Sequence, residues 1–155
     1  MTRTDPAATG IIDALDSFYC YNITAALWAD AVINRLEGLA IFLLGDELAE
    51  LADRARAAAR RLADRIGDLG GAITADPRQL LDRSIPVEFT LPDCSDVASI
   101  GEYALQRLNA IIGAYEAFLD QVRGTDDVSF HLVLELLAAE THQRADIQAA
   151  RVRRS

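Results

Sequence analysis

The sequence predicts an all-α protein, a four-helix bundle in which one long segment connects the second helix to the third. Hydrophobic residues make up 51% of the 155 residues and charged residues 25%, a balance typical of packed amphipathic helices. Four long stretches repeat apolar residues at steps of three and four, and the links between them are short, long and short in chain order. A chain of this length is expected to form a single domain over residues 1–155.

The first helix is predicted over residues 9–35 and the second over residues 38–69. The apolar stripe of the first helix contains one polar member, Asn22. The second helix ends before Gly70-Gly71, because glycine readily adopts the left-handed conformation that helix ends favour. The short link between the two helices predicts that they run antiparallel.

The third helix is predicted over residues 96–123 and the fourth over residues 127–151. The third begins near Asp96 or Ser99, and Ser99 with Glu102 forms a candidate capping box. The fourth begins with acidic residues and ends with basic ones, as the helix dipole favours.

Residues 72–95 form the predicted crossover. The segment contains three prolines and no sustained apolar period. It is long enough to return the chain along the whole bundle, at about 3.3 Å per extended residue. The second and third helices are therefore expected to run parallel.

The charge of the chain limits its partners. The formal net charge is −9 and the sequence pI is about 4.6, which disfavours binding to nucleic acid or to an anionic membrane. No run of 18 apolar residues is present, so no membrane span is expected. Cys20 and Cys94 are the only cysteines, and the N-terminus lacks an apolar secretory stretch, so a cytoplasmic location with free thiols is expected.

Three sequence strings resemble a known family. They are EGLAIFLL at 37–44, LADRIGDLGG at 62–71 and DDVSFHLVLELLAAETHQ at 126–143. Together they make the chain similar to the ferritin-like superfamily, and closest to its Dps-like and bacterioferritin-like branch. The resemblance covers residues 11–147. It implies a homo-oligomer, dimer-based or a larger shell, and a family activity of iron oxidation or storage.

The resemblance also implies six ligand positions for a di-iron centre. Such a centre takes one carboxylate from each of two helices and a Glu-x-x-His pair from each of the other two. The corresponding positions in this chain are Asn22, Ala55, Ala58, Leu108, Glu140 and Gln143. Only one of these residues is a carboxylate, so the sequence predicts a degenerate site without a resident cofactor, in a protein that acts as scaffold, shell or binding component.

An iron-binding alternative remains open. A shifted register places Glu50 and Asp53 at the second-helix positions, and a local irregularity would turn His142 towards Glu140. These four residues are the weak metal candidates. An intersubunit site is a further alternative, with acidic ligands at the end of the first helix and the start of the second: Asp30, Glu37, Asp46 and Glu47. Either site would make the chain an iron-oxidising or iron-storage protein.

A metal-independent enzyme is the third hypothesis, so the sequence does not decide whether the chain is an enzyme. Small and neutral residues at the former ligand positions favour an apolar pocket inside the bundle. Glu140 is the best candidate for a catalytic group, because burial raises a carboxyl pKa towards neutrality. Chemistry of the cyclase or isomerase type would suit the pocket residues, which are Phe18, Tyr19, Asn22, Ala55, Ala58, Leu108, Tyr115 and Gln143.

Overall fold

The computed structural model describes residues 6–152 of the chain. Within this range all regular structure is helical, which confirms the predicted all-α class. The predicted domain 1–155 also includes residues 1–5 and 153–155, which lie outside the described part. The helices are α1 (Pro6–Ile33), α2 (Leu39–Asp68), α3 (Leu80–Arg83), α4 (Val97–Val122) and α5 (Asp127–Val152), with a 3-10 turn at Pro77–Gln79.

Local capping chemistry sets the ends of the long helices. Asp96 is the N-cap of α4, and its side chain accepts a hydrogen bond from the Ala98 backbone N–H at 3.1 Å. Ser99 and Glu102 therefore lie inside the helix, and they do not form the candidate capping box at its start. After α2, Gly70 has a φ of 84°, the left-handed conformation expected at this helix end.

Contacts between helices confirm the predicted topology. The Arg54 side chain reaches Ala139 of α5, Arg61 pairs with Glu135, and Arg65 pairs with Asp126 just before α5, so α2 and α5 are antiparallel. At the start of α4, Gly101 lies against the side chain of Arg151 at the end of α5, and farther along, Arg144 donates to Asn109, so α4 and α5 are antiparallel too. Hence α2 and α4 run parallel, and the segment between them crosses the length of the bundle.

The crossover is held to the bundle by two long side chains. Trp28 Nε1 of α1 donates to the Thr90 carbonyl oxygen at 2.8 Å. The guanidinium of Arg107 on α4 donates to the Glu88 carbonyl oxygen at 2.8 Å and lies over the rings of Tyr21, Trp28 and Phe89. Trp28 is fully buried and belongs to the core.

Two apolar clusters fill the bundle, one towards each end. One cluster contains the first half of α1, the second half of α2 and residues such as Ile111 and Leu132. The other contains the start of α2, the first half of α4 and residues such as Ile147. On α5 the buried polar residues Glu140 and Gln143 lie between the two clusters. We use the name central layer for these two residues together with Asn22, Arg54 and Tyr115.

The start of α2 exposes an apolar surface. Leu39, Ile41 and Phe42 are 58%, 49% and 84% exposed, and we call these three residues the apolar patch. Their neighbours Ala40 and Leu44 face the core. Among the described residues, no helix combines the length and apolar character that crossing a membrane requires.

Candidate functional site

Glu140 is the acidic group of the central layer. Among the described residues it is the only carboxylate that is buried, with 6% of its surface exposed. Burial raises the pKa of this carboxyl to about 7, and the positive charge of Arg54 opposes that rise. Near neutral pH, Glu140 therefore exists in both protonation states, as a general acid or base requires.

Two buried tyrosines lie near Glu140. The pKa values of Tyr21 and Tyr115 are raised by burial and then by the Glu140 charge. The Tyr21 hydroxyl donates to the Arg107 carbonyl oxygen at 3.3 Å. Both phenols therefore stay protonated and neutral.

Asn22 connects α1 to α4 at this level. Its Nδ2 donates to the Tyr115 hydroxyl oxygen at 3.0 Å and to the Phe18 carbonyl oxygen at 2.8 Å. Its Oδ1 is buried and has no hydrogen-bond partner in the described part of the chain. The Asn22 side-chain amide therefore orients the hydroxyl group of Tyr115.

Arg54 supplies a positive charge beside Glu140. Its Nη1 donates to the carbonyl oxygen of Ala139, the residue before Glu140, and its Nη2 lies 2.5 Å from Glu50 Oε1. The sequence did not indicate this role, because Glu50, Asp53 and Arg54 have the pattern of a solvated helix face. Only the pairing of α2 with α5 places Arg54 at the level of Glu140.

The remaining predicted pocket residues lie mainly in the apolar clusters. Ala55 and Ala58 pack in the same cluster as Phe18, and Leu108 packs in the other. The Phe18 and Tyr115 rings meet edge to face, with centroids 4.9 Å apart. Tyr19 is partly buried against the first cluster. Aromatic and aliphatic side chains thus meet where the pocket is predicted, and the pocket itself stays a prediction.

Two grooves on the surface lie away from the central layer. One, of about 500 Å³, is lined by residues around the α1–α2 link, including Arg35, Glu37 and Cys94. Another, also about 500 Å³, lies between the end of α2 and the start of α5, where it contains His131 and Glu135.

The structure places three of the four weak metal candidates outside the bundle interior. Asp53 is 84% exposed and lies 3.3 Å from Arg56, and His142 is 71% exposed and lies 3.5 Å from Asp146. Glu50 is bound by Arg54. Of these residues, only Glu140 belongs to the interior.

A second group of carboxylates lies towards the other end of the α2–α5 contact. Carboxylate oxygens of Glu47, Glu50 and Asp146 all lie within 4.8 Å of one another. Gln143 is beside them, since its Nε2 donates to the Glu47 carbonyl oxygen at 2.9 Å. The sequence-based prediction did not connect these residues. The available signal was the i, i+3 spacing of Glu47 with Glu50 and of Gln143 with Asp146, which places each pair on one helix face.

The central layer does not fit a di-iron centre. Two iron ions need several carboxylates to offset their charge, whereas the central layer and the neighbouring Tyr21 provide one carboxylate, one guanidinium, two carboxamides and two phenols. A guanidinium beside the only carboxylate repels a metal cation. The arrangement suits proton transfer or hydrogen bonding better than metal binding.

Comparison with known proteins gives one kind of match. No protein-family model matches the sequence, and no curated protein does. Solved structures match over almost the whole chain. The dodecameric thioferritin of Bacteroides fragilis, a bacterioferritin-related protein, has a TM-score of 0.87 at 22% identity, covering 92% of this chain and 84% of that one. The chain has the ferritin-like fold.

Two Dps proteins are similarly close to this ferritin-like bundle. The Thermosynechococcus elongatus protein has a TM-score of 0.86 at 17% identity, covering 96% of this chain and 94% of that one. The Vibrio cholerae O1 protein, described as a member of a superfamily of ferritin-like diiron-carboxylate proteins, has a TM-score of 0.86 at 12% identity, covering 96% and 97%. The predicted resemblance to the Dps-like and bacterioferritin-like branch is thus confirmed for the fold.

Proposed function

We propose that this chain is a homo-oligomeric ferritin-like protein whose bundle centre is metal-free, and that it acts as a scaffold, shell or binding component. The observation that carries the proposal is the position of Arg54 beside Glu140. The Arg54 guanidinium offsets the negative charge of the Glu140 carboxylate. In a di-iron protein, bound iron would offset the charge of a carboxylate at this position.

Electrostatics support a metal-free centre. Burying a carboxylate is costly unless a positive charge compensates it. Arg54 provides part of that compensation and protonation of Glu140 provides the rest, since its pKa is about 7. Bound iron would have to displace the proton and lie near the guanidinium.

The apolar patch supports assembly. Leu39, Ile41 and Phe42 expose apolar area at the start of α2, which costs free energy in water unless another surface covers it. The similar Bacteroides fragilis thioferritin is dodecameric. A second copy of this chain is therefore the occupant that we propose for the patch.

Native mass spectrometry with ferrous iron tests the metal-free centre. The protein is measured before and after anaerobic addition of Fe²⁺, together with Glu140→Gln and metal analysis of each sample. We expect the protein to be an oligomer, and we expect it to bind no iron through Glu140. Iron retained at one or two ions per chain, and lost in Glu140→Gln, would overturn the proposal and restore iron oxidation as the function.

A metal-independent enzyme is the second candidate. It is supported by the buried carboxyl of Glu140, whose pKa is about 7, near the phenols of Tyr21 and Tyr115. This function needs an open interior, and small apolar probes enter apolar cavities. Crystals pressurised with xenon would show bound xenon near Ala55 and Leu108 if the predicted pocket exists. A closed core in those crystals would exclude this candidate.

A further inference from the structure

Arg107 places a positive charge inside the protein. The residue is 5% exposed, and within residues 6–152 no ion pair joins its guanidinium to a carboxylate. The aromatic rings around the guanidinium stabilise the cation. Burial nevertheless lowers the pKa of Arg107, because the charged form is poorly solvated there. An anion within reach of the guanidinium would offset the remaining cost of the buried charge.

A groove of about 170 Å³ lies where Arg107 meets the crossover. Besides Arg107, it is lined by Pro86, Val87 and Glu88 of the crossover and by Tyr103, Gln106 and Ala110 of α4. We call it the crossover groove. Arg107 Nη1 donates to the carbonyl oxygen of Glu88, which itself lines the groove, so the charged end of the Arg107 side chain lies at the groove.

The lining residues indicate which anion the crossover groove suits. A guanidinium presents its N–H groups as a planar fork that matches the two oxygens of a carboxylate. Pro86, Val87 and Ala110 supply apolar side chains beside this fork. The volume is below the roughly 300 Å³ at which pockets for drug-sized ligands begin, so the ligand is small. A carboxylate with a short apolar chain fits both the charge and the lining.

We propose that the crossover groove binds a short-chain carboxylate. Its two oxygens accept hydrogen bonds from the Arg107 guanidinium, and its carbon chain packs against Pro86, Val87 and Ala110. The anion offsets the buried charge and joins the crossover to α4. The site uses no residue of the central layer, so it does not depend on whether the bundle centre is metal-free.

The fluorescence of Trp28 is the readout for this site. Trp28 is the only tryptophan of the chain, and its ring centroid lies 5.4 Å from the Arg107 guanidinium carbon, so its emission responds to an anion bound there. Butyrate is titrated in place of chloride at constant ionic strength. We expect a saturable change in emission with a millimolar dissociation constant.

Two other anions test the selectivity of the crossover groove. Acetate should bind more weakly than butyrate, since each methylene that the apolar side chains cover tightens binding by up to about fourfold. Inorganic phosphate, which has no apolar part, should also bind more weakly. The absence of a saturable change with butyrate would overturn the proposal, as would equal or tighter binding of acetate or phosphate.

Charge-matched variants locate the bound anion. Arg107→Gln should weaken butyrate binding by about tenfold or more, because the charged hydrogen bonds are lost. Arg123→Gln removes an arginine whose side chain is 72% exposed, and it should leave the affinity unchanged. An unchanged affinity in Arg107→Gln would place the anion elsewhere and contradict the assignment.

Glu88→Gln should have the opposite effect. The substitution keeps the backbone carbonyl that accepts from Arg107, and it removes a negative charge from the lining of the groove. Butyrate should therefore bind about twofold to fivefold more tightly. Glu135→Gln changes the net charge equally at a site on α5, where Glu135 pairs with Arg61, and it should have no effect. Equal effects of the two substitutions would show that only the overall charge of the protein matters.

Ala110→Leu tests the site with Arg107 intact, because Arg107→Gln also removes contacts that hold the crossover. The larger side chain fills part of the groove, so this variant should lose butyrate binding while helical circular dichroism shows that it is folded. Saturating butyrate should raise the Tm of the wild type and of Arg123→Gln but not of Ala110→Leu. Wild-type affinity for butyrate in Ala110→Leu would overturn the proposal.

Discussion

At the scale of single residues, the bundle centre depends on the protonation of Glu140. The carboxyl is buried among neutral groups, and Arg54 offsets only part of the cost of its charge. Between the ordinary carboxyl pKa and about 7, the folded chain binds a proton that the unfolded chain has released. Stability is therefore greatest at or below the ordinary pKa and falls as the pH rises towards 7.

Glu140→Gln should remove this pH dependence. With a pKa raised from 4.5 to about 7, Glu140 lowers the free energy of unfolding by roughly 3 kcal/mol between pH 4.5 and pH 8. The neutral amide has no such cost, so the variant should be more stable than the wild type at pH 8. Urea unfolding at pH 5, 6, 7 and 8, at one protein concentration, measures the difference. Parallel pH profiles for the two proteins would show that Glu140 titrates normally.

At the scale of structural elements, the crossover depends on Arg107. Its guanidinium carbon lies 5.4 Å from the Trp28 ring centroid and 5.9 Å from that of Phe89, and it is almost fully buried. Arg107→Met should lower the free energy of unfolding by about 2 kcal/mol, because stacking on desolvated rings and a charged hydrogen bond are both lost. Urea unfolding measures the loss, and limited proteolysis should cleave the crossover first.

Arg123→Met is the matched control for Arg107. Arg123 also lies over an aromatic ring, with 5.8 Å to the Phe130 centroid, but its side chain is 72% exposed. Its loss should cost well under about 1 kcal/mol. Equal effects of the two substitutions would contradict the role that we assign to Arg107.

The start of α5 depends on Asp126. This carboxylate accepts hydrogen bonds from the Ser129 backbone N–H and from Arg65 Nη2, both at 3.0 Å. Asp126→Ala should cost about 2 kcal/mol, since it removes an N-cap and leaves Arg65 partly buried without its partner. Asp76→Ala removes the cap of the 3-10 turn together with its ion pair to the exposed Arg78, and should cost less than half as much. Equal losses in urea unfolding would show that the Arg65 contact contributes no more than this exposed ion pair.

The elements were predictable from the sequence to a greater extent than the site. Apolar periodicity and helix-end glycines are local signals, and they placed the ends of the second, third and fourth long helices within one residue of those in the structure. The level at which α2 faces α5 is a tertiary property that no local pattern contains. Arg54 and Asp146 were missed for that reason, and Glu47 was named only as a candidate for an intersubunit site.

At the scale of the whole molecule, the two apolar clusters and the polar central layer occupy different parts of the bundle. The two apolar clusters contain most of the buried residues of the described part of the chain, so they can hold the fold without a metal in the central layer between them. Under the proposal of a metal-free centre, the central layer needs no di-iron ligation. The apolar patch at the start of α2 places three large apolar residues on the surface within four positions of the chain.

Phe42→Glu should therefore disrupt the oligomer while leaving the monomer folded. Phe42 is 84% exposed in the single chain, so its side chain makes little contribution to the monomer core. In an interface, the introduced carboxylate would be buried without a partner, at a cost of several kcal/mol per copy. Light scattering after size-exclusion chromatography should show a smaller assembly than that of the wild type. Val128→Glu, at an apolar position 60% exposed at the start of α5, should keep the wild-type size. A Phe42→Glu protein of unchanged size would mean that copies of the chain assemble through another surface, and that the patch is not covered by a second copy.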